Sequence, residues 1–331
     1  MLQSFLVREF SKRFGPLWEP DARELADKHG DAYLADSVRR EIQAVFASPQ
    51  IRAQLPRLIA HVLILSRAET RCFVWPAPNG EPEYVLAMHI GTFANIRSLL
   101  EPQELWNPFR RDLPFLTSLL PADFLRLVTH MVVSALAYHE VAHIMRGHTR
   151  YIEEAKARHD EVEATRRRKL CEADADKWSS YILGGDILHH ARAISVANLG
   201  HDGAHQTIIS ELLQVLAVAL YRCFAVFNRA DFPPPSLYPH PLLRATSVAI
   251  GTADNVEHGD VEFSNVLRRL TKVLTGLSRG EGYVRDQLAS IQRRWDIGTE
   301  LLGFEHEYAS ALAELERELA VRPMDSLIPL E

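Results

Sequence analysis

The chain has 331 residues, 47% of them hydrophobic and 24% charged, with a formal net charge of −6. That balance excludes a collagen-like, disordered or charge-dominated chain and suits one large globular domain or two modest ones. A sequence pI of about 6.2 also excludes a phosphate-binding surface spread over the whole molecule.

Three cysteines, Cys72, Cys171 and Cys223, are odd in number and widely spaced. They make neither a disulfide framework nor a cysteine-type zinc site, and point to a reducing, cytoplasmic compartment. The N-terminal "MLQSFLVREFSKRFGPLW" carries charges through its first apolar run, which argues against a secretory signal. Residues 21 to 66 carry helical patterning, broken at "SPQ" (48 to 50) and ending in the apolar run "LIAHVLIL" (58 to 65). "RCFVW" (71 to 75) and "EYVLAMHI" (83 to 90) are β-prone and flank a turn signal at Asn79-Gly80, so a hairpin is predicted.

A long helix is predicted from Asp123, a plausible N-cap, to Gly147, a plausible residue just past its end. Residues 150 to 169 are densely charged with mixed sign, a solvated helix face or a mobile connector. Their "RRRK" run is half of this charge-balanced segment, so no nucleic-acid partner is expected. Helical character resumes through "CEADADKWSSYIL" (171 to 183). The greasy stretch 208 to 227 is interrupted by Glu211, Gln214 and Arg222, which predicts a buried core helix rather than a membrane span. Prolines in "DFPPPSLYPHP" (231 to 241) forbid a regular helix there, and helical segments follow around 262 to 278 and 283 to 320. The expected organisation is an N-terminal helical region (1–70), a core (71–250) and a C-terminal helical region packed on it (251–331). The fold class is α+β, predominantly helical.

The chemistry concentrates in "AYHEVAHIMRGH" (137 to 148). His139 and His143 are four apart, which on a helix places both imidazoles on one face, one turn from each other. The same stripe runs back through Ala135, Val132 and Val128, so the histidines end an apolar face and point inward. Glu140 lies about 100° around the helix, placed to act on a metal-bound water without ligating the ion. This is the HExxH arrangement of two imidazole ligands and a carboxylate general base. The bland reading of the same residues is a buried histidine pair satisfied by hydrogen bonds.

A catalytic zinc usually takes three protein ligands and leaves a fourth position for water. The metzincin spacing fails, because its glycine and histidine positions are Arg146 and Thr149 here. His148 falls one residue off, beyond the predicted helix end, and is expected as a neighbour, with a metal-ligand role held in reserve. "CEADADKW" offers the other solution. Glu172 and Asp176 share a helix face, and Ala173 and Ala175 are small enough for close helix approach. Glu172 would complete a His-His-Glu site for one Zn2+ per chain. Asp176 would accept the free N–H of a ligand imidazole, His139 by preference. Asp174 is expected on an exposed acidic stripe. His189 and His190 are adjacent and face different directions, and Trp75, Trp106 and Trp178 read as core or groove aromatics.

HEVAH followed by E-x-x-A-D at Glu172, Ala175 and Asp176 resembles the gluzincin zinc peptidases. Within them it is most similar to the HtpX-type and CAAX-processing membrane peptidases, whose HExxH is often followed by a histidine where His148 stands. Those families also carry a downstream His-Pro followed by an arginine, and "YPHPLLRA" supplies His240, Pro241 and Arg244. The resemblance spans about residues 71 to 250. It implies a zincin-like core with a small hairpin or sheet, two ligand-bearing helices, and an edge strand offered to an extended substrate. It further implies that His240 hydrogen-bonds the oxyanion of the tetrahedral intermediate, with Tyr238 as second choice. Two departures stand out: the chain has no convincing transmembrane helix, and Arg244 follows His-Pro sooner. Soluble Lit-type phage-exclusion peptidases suit it better. The expectation is therefore a zinc metalloendopeptidase acting on a protein or peptide. The alternative is a binding or regulatory module that keeps a structural zinc.

Overall fold

A computed structural model of the protein describes residues 5–78, 81–107, 113–199, 205–227 and 241–257. The predicted turn residues Asn79 and Gly80, the proline-rich segment 231 to 240 with Tyr238 and His240, and the helices predicted at 262–278 and 283–320 lie outside the described residues. The architecture is α+β and predominantly helical, with one three-stranded sheet among the described residues. The described chain forms two compact units. Residues up to 107 together with 117–167 make the first, and 113–116 together with 168–257 the second.

In the first unit, β1 (Ile59–Leu65) pairs parallel with β3 (Glu83–His89), and β2 (Cys72–Pro76) pairs antiparallel with β3, so the order is β1-β3-β2. The predicted hairpin is β2–β3. The run 58 to 65, expected to be helical, is instead a strand. A short apolar run has no periodicity to separate helix from strand, and here pairing of Ile59 through Leu65 with Glu83 through His89 decides the matter.

Period-two alternation splits the sheet into two faces. Phe73, Trp75, Val85, Ala87, Leu63 and Leu65 share one face and pack against Leu6, Phe10 and Phe14 of α1 (Phe5–Phe14). Ring centroids of Phe10 and Trp75 are 5.5 Å apart, and those of Phe14 and Phe73 5.2 Å. Arg8, Lys12 and Arg13 stay exposed on α1, so this helix is held by one apolar stripe. The other face carries Cys72, Val74, Tyr84, Leu86 and Met88.

The sheet also packs against α3 (Asp31–Ala47), α5 (Ile90–Leu100) and α7 (Pro121–Met145). Between these come the shorter α2 (Ala22–Ala26), α4 (Pro49–Gln54) and α6 (Gln103–Trp106). β3 runs directly into α5, and the loop after β1 crosses so close that a Cβ on Gly91 would collide with the Ala68 carbonyl. Gly91 N–H donates to the Arg67 carbonyl at 2.8 Å in the same crossing.

The β2–β3 ladder is closed by odd-numbered β2-side residues, with Ala77 N–H donating to Glu83 O and His89 N–H to Arg71 O. Cys72 and Val74 therefore direct their N–H and C=O groups away from β3. No strand pairs with that edge among the described residues. Pro76 can offer only a carbonyl there.

α7 starts one turn before the expected N-cap. Pro121 occupies its first turn, where the missing N–H costs nothing. Asp123 sits inside that turn and receives a hydrogen bond from Arg126. The helix stops where predicted. Gly147 takes φ 67°, the left-handed conformation that glycine adopts without a Cβ penalty. The same glycine caps α8 (His148–Ala157), which begins at His148.

The charged segment after it is helical, comprising α8 and the first turns of α9 (Glu161–Leu199). Arg167 is buried within it. Its guanidinium lies 4.0 Å from the Tyr151 ring centroid, donates to the Tyr151 carbonyl at 2.8 Å, and bonds Glu163 at 2.9 Å. One arginine of the basic run is thus a structural clamp.

The second unit holds the rest of α9, with α10 (His205–Phe227) packed on α11 (Pro241–Glu257). Among the described residues α10 alone is long and apolar enough to cross a bilayer, and 94% of its most apolar stretch is buried inside the protein. Glu211 on α10 is fully buried and accepts the N–H groups of Phe115 and Leu116 at 3.2 and 2.8 Å. Small residues bring α11 close to α9, because a Cβ on Gly251 would meet the Ser180 side chain.

Candidate metal centre

His139 and His143 lie in the last two turns of α7, at the end of a stripe whose Val128, Val132 and Ala135 are buried. His139 is 5% exposed and His143 half-buried. Their Nε2 atoms face each other at 3.1 Å. Together with Glu172 on α9 they offer one ligand atom each, all within 4.8 Å of one another, and this is the one such group among the described residues.

The donor set fits a divalent metal. Two nitrogens bound to a tetrahedral zinc at about 2.0–2.1 Å would stand roughly 3.3 Å apart, close to the Nε2 separation observed. Two imidazole lone pairs facing each other repel unless a cation or a proton lies between them. Two histidines and one carboxylate also leave a fourth position open, as hydrolytic zinc requires.

The helix around Glu172 departs from the one-sided stripe expected of it. Leu170, Cys171, Ala173, Asp174, Ala175 and Asp176 are all buried, whereas Glu172 is half-buried. Asp174, expected on an exposed acidic stripe, is fully buried, because α9 is enclosed on more than one side at this level. Asp176 carries a partner the sequence did not supply. Arg244 on α11 donates to it twice, Nε to Oδ2 at 2.6 Å and Nη2 to Oδ1 at 2.8 Å. The guanidinium also lies 4.3 Å from the Phe224 ring centroid. Arg244 of the His-Pro…Arg pattern is therefore a buried tie between α11 and α9, four residues after His240 in the chain.

His148 was expected as a neighbour of the site just beyond the helix, with a metal-ligand role in reserve. It is fully buried, and its Nδ1 lies 2.9 Å from Nδ1 of His143. The signal available in the sequence was Gly147, whose left-handed conformation ends α7 and starts α8.

Glu140 is half-buried on α7. Burial first, and then the Glu140 carboxylate, push the Cys72 thiol well above its usual range. Glu140 thus lies close enough to act on a thiol of β2, beside the strand edge that pairs with no other strand among the described residues. Cys72 was not singled out for this place. Alternation in "RCFVW" sets Cys72 and Val74 on one face, but the sequence does not say which helix lies beneath them.

Two of the tryptophans take the ordinary packing roles expected of them. Trp75 belongs to the aromatic cluster under α1, and Trp106 is buried with its indole N–H on the Leu100 carbonyl at 2.7 Å. Trp178 lies beside Tyr181. His240 and Tyr238 lie outside the described residues. No family model, curated protein or solved structure matches this chain.

Proposed function

We propose that the chain is a zinc-dependent metallopeptidase of the gluzincin type, with a zincin-like core, hydrolysing a peptide bond in a protein or peptide substrate. The observation that carries the reading is the meeting of His139, His143 and Glu172 within 4.8 Å, with Glu140 on the same helix turn as the first ligand.

His139, His143 and Glu172 would hold the zinc, which would supply Lewis acidity toward a water and the scissile carbonyl. Glu140 takes a proton from the attacking water as its oxygen bonds to the carbonyl carbon, and delivers a proton to the amine as the C–N bond breaks. An extended substrate would align by backbone pairing with the outward N–H and C=O groups of Cys72 and Val74, and Pro76 would end that ladder for want of an N–H. His240, or Tyr238 in its place, would donate to the oxyanion, an interaction worth about 100-fold or more in rate where one such donor is removed. Asp176 would hold α9 in place around Glu172 through Arg244. Three cysteines that form no disulfide suit the cytoplasm as the working compartment.

The test uses Glu140→Gln, which preserves shape and removes the base. The zinc-loaded wild type and this variant are incubated with a peptide library prepared from a bacterial proteome, and new termini are read by mass spectrometry. The proposal expects cleavage by the wild type, at least about 100-fold less by the variant, and equal zinc in both. Equal cleavage by the two proteins contradicts the assignment of Glu140. Bound zinc with no cleavage by the wild type favours the structural-zinc module.

A further inference from the structure

We propose that His148 is a positioning residue for the metal centre, accepting the Nδ1–H of His143 and so fixing the tautomer that presents Nε2 to the ion. The proposal rests on the reading of His139, His143 and Glu172 as ligands.

The argument is one of proton accounting. A bond between two imidazole nitrogens holds one hydrogen, so of the two Nδ1 atoms 2.9 Å apart one donates and the other accepts. The Nε2 of His143 points at the Nε2 of His139, 3.1 Å away, where the ion would sit. A neutral imidazole that ligates through Nε2 carries its proton on Nδ1. His143 is then the donor and His148 the acceptor, and the proton of His148 resides on its own Nε2. The opposite arrangement would put a proton on Nε2 of His143 and block the metal.

The backbone makes this geometry specific. Gly147 at φ 67° breaks the helix between α7 and α8, so that His148 begins the second helix with its ring beside the ring of His143, centroids 4.9 Å apart and planes at 77°. His148 is fully buried, so water does not compete for its place. Metal-bound histidines usually donate to a carboxylate or a carbonyl, and such partners set ring orientation and ligand basicity. A neutral imidazole orients the ring without adding negative charge. The ion keeps more of its electrophilic character than it would beside a carboxylate partner.

The experiment measures zinc affinity by chelator competition for the full-length wild type, His148→Leu and His148→Asn. Leucine removes the acceptor, whereas the asparagine carbonyl restores one near the position of Nδ1. The expected result is a 10- to 100-fold loss of affinity in His148→Leu, in the range found for such partners, with most of it recovered in His148→Asn. In metal-free wild type, 15N shifts of the imidazoles should place the His143 proton on Nδ1 and the His148 proton on Nε2. This second readout decides the matter should the leucine variant fail to fold. Undiminished zinc affinity in His148→Leu, or the reverse proton placement, overturns the role of His148 and leaves the three-ligand site standing. A wild type that takes up no zinc overturns both.

Discussion

Breaking the Arg244–Asp176 pair should be among the most damaging polar substitutions in the second unit. Both side chains are nearly out of solvent, at 7% and 4% exposure, and joined by two hydrogen bonds. Asp176→Asn leaves a buried guanidinium facing a neutral amide, and Arg244→Met leaves a buried carboxylate. Removing one partner of such a pair costs about 3–5 kcal/mol, mostly as the penalty of the uncompensated charge. Arg244→Met also forfeits the contact with the Phe224 ring, which adds about 0.5–2 kcal/mol. For a domain of this size each kcal/mol lowers Tm by about 2–4 °C, so a fall of roughly 6–20 °C is expected for Asp176→Asn and of roughly 7–28 °C for Arg244→Met. Differential scanning calorimetry and urea unfolding of both single variants and the double variant provide the measurement. The double variant carries no orphaned charge and should cost clearly less than the sum of the two. Single variants that each lose under about 1 kcal/mol, the range of an exposed pair, would refute the reasoning, as would strict additivity.

Two further outcomes follow from the first unit. Arg166 and Arg167 hold the Glu163 carboxylate down to about 2, well below its ordinary 4.5. A depressed carboxylate stabilises the fold above the unfolded value and loses that contribution as pH falls, so stability should decline between about pH 4.5 and 2. Glu163→Gln should flatten this part of the curve in urea titrations at stepped pH, and an unchanged acid limb would contradict the clamp. Gly91→Ala would gain up to about 1 kcal/mol from helix propensity alone. The Ala68 carbonyl blocks the new methyl, however, so a net loss of about 1–3 kcal/mol is expected, and a neutral or stabilising result in chemical denaturation would show that the crossing can relax.

The parts of the site legible in the sequence were those written in local periodicity. An apolar stripe at helical spacing ended in His139 and His143, Gly147 marked the stop, and Glu172 lay on the next strongly helical segment. The predominantly helical α+β class and the β2–β3 hairpin were legible in the same way. Residues 58 to 65 were not, because their strand character depends on β3, whose partner residues come some two dozen positions later. The Arg244 guanidinium on Asp176 joins residues 68 positions apart, and no local pattern announces such a pairing. Asp174 was misplaced because a stripe argument assumes one wet face, whereas α9 is enclosed around residues 170 to 176. His148 was expected as a neighbour, but its contact with His143 was not legible. Counting along an ideal helix carries its ring away from His143, and only the helix break at Gly147 brings it back.

The central claim is the His-His-Glu metal centre, and the most direct test is the metal content of the purified chain beside Glu172→Ala, by elemental mass spectrometry. About one zinc per chain in the wild type, largely lost in the variant, is the predicted result, since a zinc left with two protein ligands is weakly held. Full zinc retention by Glu172→Ala, or no zinc in a wild type incubated with the metal, would contradict the account.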